Sequence, residues 1–143
     1  MTYRLLKKVD DEDIPIILSV YMQPSVSRFI DIDKENYWRY VTGTDNVFFY
    51  KVFQDDVLVA TIHLESADRV LYMSIVVFPK YQKQGIATTI IKDIQTGMFE
   101  LAFTSIQVSI DEKNSASIKL FEKSGFECIG KDEELLEYAY VVK

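Results

Sequence analysis

The chain is poor in cysteine, histidine, glycine and proline, with one, one, five and three of each among 143 residues, and each scarcity excludes something. Cys128 alone forms no internal disulfide, and with His63 as the sole histidine it builds no Cys/His zinc site, so no metal is expected. With so few glycines and prolines there is no low-complexity tract, and no internal repeat is present. No apolar run reaches spanning length and Met1–Asp13 is too charged for a signal core, so a cytoplasmic protein that does not enter the membrane is the expectation. Basic residues are outnumbered 16 to 22, giving a net charge of -6, which argues against a nucleic-acid partner.

What is abundant is core material. The chain is 48% hydrophobic with nine Tyr and nine Phe, enough for one domain over residues 1–143. Thr2–Lys7 reads as a strand. Asp10 or Asp11 then caps a helix with Ile14, Ile17, Leu18 and Tyr21 on one face, ended by Pro24. A second short helix is expected over Asp33–Tyr40, and the stretch between, Gln23–Ile32, is placed to line a cleft.

Strands follow over Val47–Phe53, Val57–Glu65 and Val70–Phe78, joined by a hairpin turn at Gln54–Asp56 and a looser one at Glu65–Arg69. Helical spacing of Ile86, Ile90, Ile91, Ile94, Met98 and Leu101 predicts a helix over Gly85–Leu101, with Gly97 a weak point inside it. Ser105–Ile110 alternates as a strand, Ser115–Lys123 reads as a helix capped by Asn114 or Ser115 and ended at Gly125, and Phe126–Ile129 and Leu135–Val142 close the sheet. The fold class is therefore α+β, a mixed, mostly antiparallel central sheet flanked by helices. Exposed strands near the C-terminus leave room for a homodimer.

The strand-to-helix junction Ile75–Thr88 carries the chemical signal. Backbone amides at a helix start attract anions, and Gly85 and Ala87 keep the approach unobstructed. Gly85 stands alone, so the dinucleotide G-x-G-x-x-G pattern fails, and the Gly-Lys-Ser/Thr ending of a nucleotide loop is absent. Lys80 and Lys83 add positive charge nearby.

The spacing Val77, Pro79, Gln82, Gly85, Ala87 resembles the signature of the GCN5-related N-acetyltransferases (GNAT). Asn114, a short helix and Gly125-Phe126 resemble the family's second motif, in the right order. The resemblance implies the acyl-CoA N-acyltransferase fold and acetyl transfer from acetyl-CoA, a co-substrate, to a primary amine of a small molecule or peptide by direct attack. It implies that the strand at Ile75 and Val77 pairs with the pantetheine arm. The amides of Gln82, Lys83, Gln84, Gly85, Ile86 and Ala87 would hold the pyrophosphate, and Asn114 would contact the cofactor.

Family members often carry Tyr where this chain has Phe121, and some carry Glu where it has Leu71. Phenylalanine has no proton to give. Substitutes for the base are Glu65, then His63, which share a strand face; histidine as a residue type titrates near neutrality. Tyr72 and Ser74 alternate onto one face of the next strand, and Tyr72 is a further catalytic candidate. The acceptor pocket should draw on Met22–Asp33, Trp38 and the last hairpin. The competing reading is a catalytically weak or inactive acyl-CoA-binding regulatory module.

Overall fold

A computed structural model describes residues 1–142. The elements in chain order are β1 (Thr2–Leu5), α1 (Ile14–Tyr21), α2 (Pro24–Ser27), α3 (Tyr37–Gly43), β2 (Val47–Gln54), β3 (Val57–Ala67), β4 (Val70–Val77), α4 (Ile86–Gln95), β5 (Ser105–Asp111), α5 (Ser115–Lys123), β6 (Glu127–Asp132) and β7 (Leu135–Val141). The strands form one sheet in the order β1-β2-β3-β4-β5-β7-β6. Pairing is antiparallel for β1 with β2, β5 with β7 and β6 with β7, and parallel for β4 with β5. This is the mixed, mostly antiparallel sheet with flanking helices that the hydrophobic pattern predicts.

Contacts divide the chain into two compact units, Met1–Leu64 with Ile75–Gln82, and Glu65–Ser74 with the chain from Lys83 onward. In the first unit α1 delivers Ile14, Ile17, Val20 and Tyr21 to a core shared with Trp38, Phe49, Val76 and Phe78. Trp38 meets the Phe49 ring edge-on at 5.3 Å. Full burial of a side chain such as Phe49 or Ile17 stabilises by about 1.5–3 kcal/mol. A charged tie reinforces this core. Nearly buried Lys51 on β2 donates to Asp11 at 2.8 Å and to Asp13 at 2.9 Å, fixing the segment that enters α1. Loss of water works against the Lys51 charge, but the two carboxylates outweigh it and raise its pKa.

The capping expectation at α1 is corrected. The cap position is Asp13 and no side chain caps the helix; Asp11 instead accepts from the Asp13 backbone N–H at 2.8 Å, one turn earlier. Pro24 also does more than stop α1. It is the first residue of α2, where the missing N–H costs nothing because that amide has no helical acceptor. The helix expected over Asp33–Tyr40 begins only at Tyr37. Asp33 accepts from the Glu35 and Asn36 amides and from Asn36 Nδ2, so its carboxylate favours a turn over a helix start there. Those bonds, the Asn36 side chain foremost, hold the Asp33 carboxyl below the usual carboxylate range.

The hairpin turn Asp55-Asp56 has φ values of 51° and 64°, the left-handed pair that matches the twist of two-residue hairpins. The turn after β3 is tighter than expected. It reduces to Asp68-Arg69, with φ of 49° and 65°, so β3 runs on to Ala67.

In the second unit α4 buries Ile86, Ile90, Ile91 and Ile94, and β5 buries Ile106, Val108 and Ile110. The helix expected to reach Leu101 ends at Gln95. Gly97 is no weak interior point but the terminator. At φ 84° it lets its own N–H reach Ile94 O and the Met98 N–H reach Asp93 O, each at 3.1 Å. Met98 is therefore exposed, off the apolar face assigned to it. Helix α5 ends the same way, as its glycine predicts: Gly125 has φ 92° and the Phe126 N–H reaches Phe121 O at 3.0 Å.

Candidate functional site

In the first unit, β4 ends at Val77 and the chain turns through a single 3-10 turn, Pro79–Tyr81. Two bonds fix that turn. The Phe78 N–H reaches Val59 O at 2.9 Å, and Gln82 Nε2 donates to Val77 O at 3.1 Å. Gln82 thus acts through its side chain on the strand end. The Val77 carbonyl keeps a second lone pair for another donor. Ile75 and Val77 are both half-buried.

Lys83, Gln84 and Gly85 open the second unit's share of the junction, and all three are exposed. Lys83 has φ 64° and Gly85 φ 80°, so the chain enters α4 through a left-handed residue. No side chain caps the helix, whose ladder starts with Thr89 N–H to Gly85 O at 3.1 Å. The amides of Ile86, Ala87 and Thr88 precede that ladder and keep their donors for another acceptor. Successive amides at a positive helix end form a concavity suited to phosphate oxygens. A Cβ at Gly85 would touch nothing within 4 Å, so glycine is required there by its φ and not by crowding.

Also in the second unit, Asn114 stands at the start of α5, where its Oδ1 accepts from the Ser117 N–H at 3.2 Å. The cap role read from sequence is therefore filled by the oxygen. The Nδ2 donors have no partner among the described residues.

The parallel ladder between β4 and β5 is short. It pairs Val70 with Ser105, Leu71 with Ile106 and Tyr72 with Gln107, and it stops there although β5 runs to Asp111. Met73 and Ser74 have left that ladder. Tyr72 and Ser74 are exposed while Leu71 and Met73 are buried, so the alternation read from sequence holds over this stretch.

His63, in the first unit, is half-buried on β3, and its Nδ1 lies 2.5 Å from the hydroxyl of Tyr37 on α3. Tyr40 stacks on the same imidazole at 6.3 Å. No local pattern in the sequence links residues 26 apart, so Tyr37 was not legible as a partner of His63. Glu65, also half-buried on β3, lies in the second unit.

The two departures from the family pattern have structural explanations. Leu71 is fully buried. Phe121 meets the Phe126 ring edge-on at 5.1 Å, the apolar contact that commonly closes a helix end of this type. Tyr138, another residue that sequence reasoning passed over, donates its hydroxyl to Glu122 on α5 at 3.0 Å. Its burial first, and then the Glu122 carboxylate, raise the Tyr138 pKa, so it holds its proton.

Of the stretch expected to line a cleft, Gln23–Ile32, the residues Ser27, Ile30, Asp31 and Ile32 do so. Within the first unit, a cleft of about 260 Å³ has apolar walls from Leu18, Tyr21, Met22, Ile30 and Ile32. Ser27, Asp31 and Lys34 supply its polar groups. The Tyr21 hydroxyl is bound to Thr61 Oγ1 at 2.5 Å, so its ring serves the cleft as an apolar surface. Among the described residues no group of three or more His, Cys, Asp or Glu side chains is placed to hold a metal. No helix there is long and apolar enough to cross a membrane.

Comparison with solved structures shows the same fold in proteins of low sequence identity. A domain from Methanocaldococcus jannaschii superposes with a TM-score of 0.79 at 16% identity, covering 99% of each chain. The ribosomal-protein-S18-alanine N-acetyltransferase from Escherichia coli gives 0.76 at 14% identity, over 99% of this chain and 94% of that one. The aminoglycoside acetyltransferase AAC(6')-Ib, solved with coenzyme A and kanamycin, gives 0.80 at 16% identity, over 98% and 94%. No curated protein sequence matches significantly. The profile of the acetyltransferase (GNAT) family matches residues 13–126, well over half of the sequence, and the chain belongs to that family.

Proposed function

We propose that this protein transfers an acetyl group from acetyl-CoA to a primary amine of a small molecule or peptide, by direct attack with both substrates bound. The carrying observation is the start of α4, exposed, uncapped and entered through a left-handed glycine. Amides from Gln82 to Ala87 would bind the pyrophosphate, with Lys83 adding charge, and the backbone of Ile75 and Val77 would pair with the pantetheine arm. Asn114 has an amide nitrogen to offer beyond its cap bond. Acetyl-CoA supplies the activated acyl group.

The residues of this chain must then orient the amine and take its proton. Glu65 is the first candidate for the base and His63 the second. His63 accepts a proton at Nε2 only in the tautomer whose Nδ1–H donates to Tyr37; when Tyr37 donates instead, Nε2 carries the hydrogen. Tyr72, exposed on β4, has the phenolic proton that Phe121 lacks and is the candidate donor to the departing thiolate.

A second reading, an acyl-CoA-binding module without turnover, is favoured by one observation. Both positions where relatives often place an acid or base are buried apolar residues, Leu71 and Phe121. Titration with acetyl-CoA followed by thiol release across a panel of amines separates these readings. Binding with amine-dependent release supports transfer, and binding without release on any amine supports the module. No binding well above micromolar acetyl-CoA sinks both.

A further inference from the structure

The first-unit cleft presents two charged side chains of opposite sign on apolar walls. Asp31 is exposed and has no hydrogen bond or ion pair among the described residues. Lys34 is also exposed, and its ammonium has one protein partner there, the Met22 thioether at 3.4 Å, a weak acceptor. The two do not pair with each other although both line the cleft. Asp33 between them does not line the cleft, and its carboxylate accepts bonds within its own turn.

We propose that the amine acceptor is a compact zwitterion, a primary amine on an apolar body of about leucine's size that also bears a carboxylate. This rests on the acetyl-transfer reading only in naming the ligand an acceptor; its binding to the cleft stands separately. Asp31 would take the ammonium and Lys34 the carboxylate, while Leu18, Ile30, Ile32 and the Tyr21 ring cover the aliphatic side chain. A volume of about 260 Å³ lies at the small end of ligand pockets, so a compact ligand suits the cleft. Charge also discriminates. A polyamine or aminoglycoside brings several cations to a cleft with a single carboxylate and a repelling lysine, and its polar body gains nothing from the apolar walls.

The test is calorimetric titration of the full chain, with and without coenzyme A, using L-leucine, isoamylamine (no carboxylate), 4-methylpentanoate (no amine), glycine and spermidine. Leucine should bind most tightly, with glycine roughly tenfold or more weaker for want of a side chain to bury. Lys34→Gln should weaken leucine roughly three- to tenfold and leave isoamylamine unchanged, while Asp31→Asn should weaken leucine and isoamylamine and spare 4-methylpentanoate. Both residues are exposed, so neither change threatens folding. Ser27→Trp, on another exposed wall residue, should fill the cleft and abolish leucine binding. Spermidine binding above leucine, leucine no tighter than isoamylamine, or indifference to all three substitutions overturns the proposal. Acetyl-CoA titrated into the same preparation keeps the readings apart. Leucine failing while acetyl-CoA binds removes this proposal alone, and acetyl-CoA failing while leucine binds removes the transfer reading and upholds the cleft ligand.

Discussion

The hydroxyl of Tyr37 lies 2.5 Å from Nδ1 of His63, joining helix α3 to strand β3 across 26 residues of sequence. The direction of that bond is coupled to which ring nitrogen of the lone histidine carries hydrogen, and so bears on whether His63 can serve as a base. Tyr37→Phe removes it and keeps the ring that packs edge-on against Trp38 at 5.1 Å and Phe49 at 5.9 Å. The expected stability loss is about 1 kcal/mol, one net hydrogen bond, read by urea denaturation. If His63 takes the amine proton, amine-dependent kcat should also fall severalfold with acetyl-CoA affinity unchanged. An unaltered kcat assigns the pair to structure, and attention passes to Glu65→Gln.

Gly85 separates backbone conformation from ligand binding. Gly85→Ala meets no neighbour, so its cost should be that of a left-handed residue carrying a Cβ, about 1–2 kcal/mol. Gly85→Glu has the same backbone cost and adds a negative charge beside the helix start. Acetyl-CoA affinity should then drop far more for Glu than for Ala, measured by calorimetry. Equal affinities in the two variants would move the pyrophosphate elsewhere.

Asn114 caps α5 through Oδ1, and two substitutions distinguish that cap from the proposed cofactor contact of Nδ2. Asn114→Ala loses the cap and should cost about 1 kcal/mol in unfolding experiments. Asn114→Asp keeps a cap oxygen, and its charge suits a helix N-terminus, so stability should hold. A cofactor contact through Nδ2 predicts weaker acetyl-CoA binding in the Asp variant despite its intact fold.

Lys51 should give the first unit an alkaline limit. Its folded pKa is raised above the ordinary 10.5, so its stabilising effect is complete below that value and fades as pH climbs through the folded pKa. Lys51→Met leaves Asp11 and Asp13 facing each other without their cation and should cost about 2 kcal/mol at neutral pH. Thermal unfolding of both proteins from pH 7 to 11 checks the sign, since the gap between them must narrow towards the alkaline end.

Much of the architecture was written locally. The alternation in β4 and β5, the Asp55-Asp56 turn, the isoleucine stripe of α4 and the cap at Asn114 each depend on a few neighbouring residues, and the folded chain keeps them. Misjudged boundaries came from local signals with two meanings. Gly97 reads as a flaw inside a helix or as its end, and only the bonds from Gly97 and Met98 back to Ile94 and Asp93 select the second. Asp33 is a good capping residue, but it closes its own turn and delays α3 to Tyr37.

The sequence by itself determined the family motifs and the α4 entry, because a left-handed glycine before an uncapped helix start depends only on residues close in the chain. Tertiary structure decided the side-chain chemistry: the tie of Lys51 to Asp11 and Asp13, the pairing of Tyr37 with His63, and a cleft offering Asp31 and Lys34 together. The reason is physical. Backbone geometry follows from residues close in the chain, whereas charge and hydrogen-bond partners are set by distances that exist only after folding.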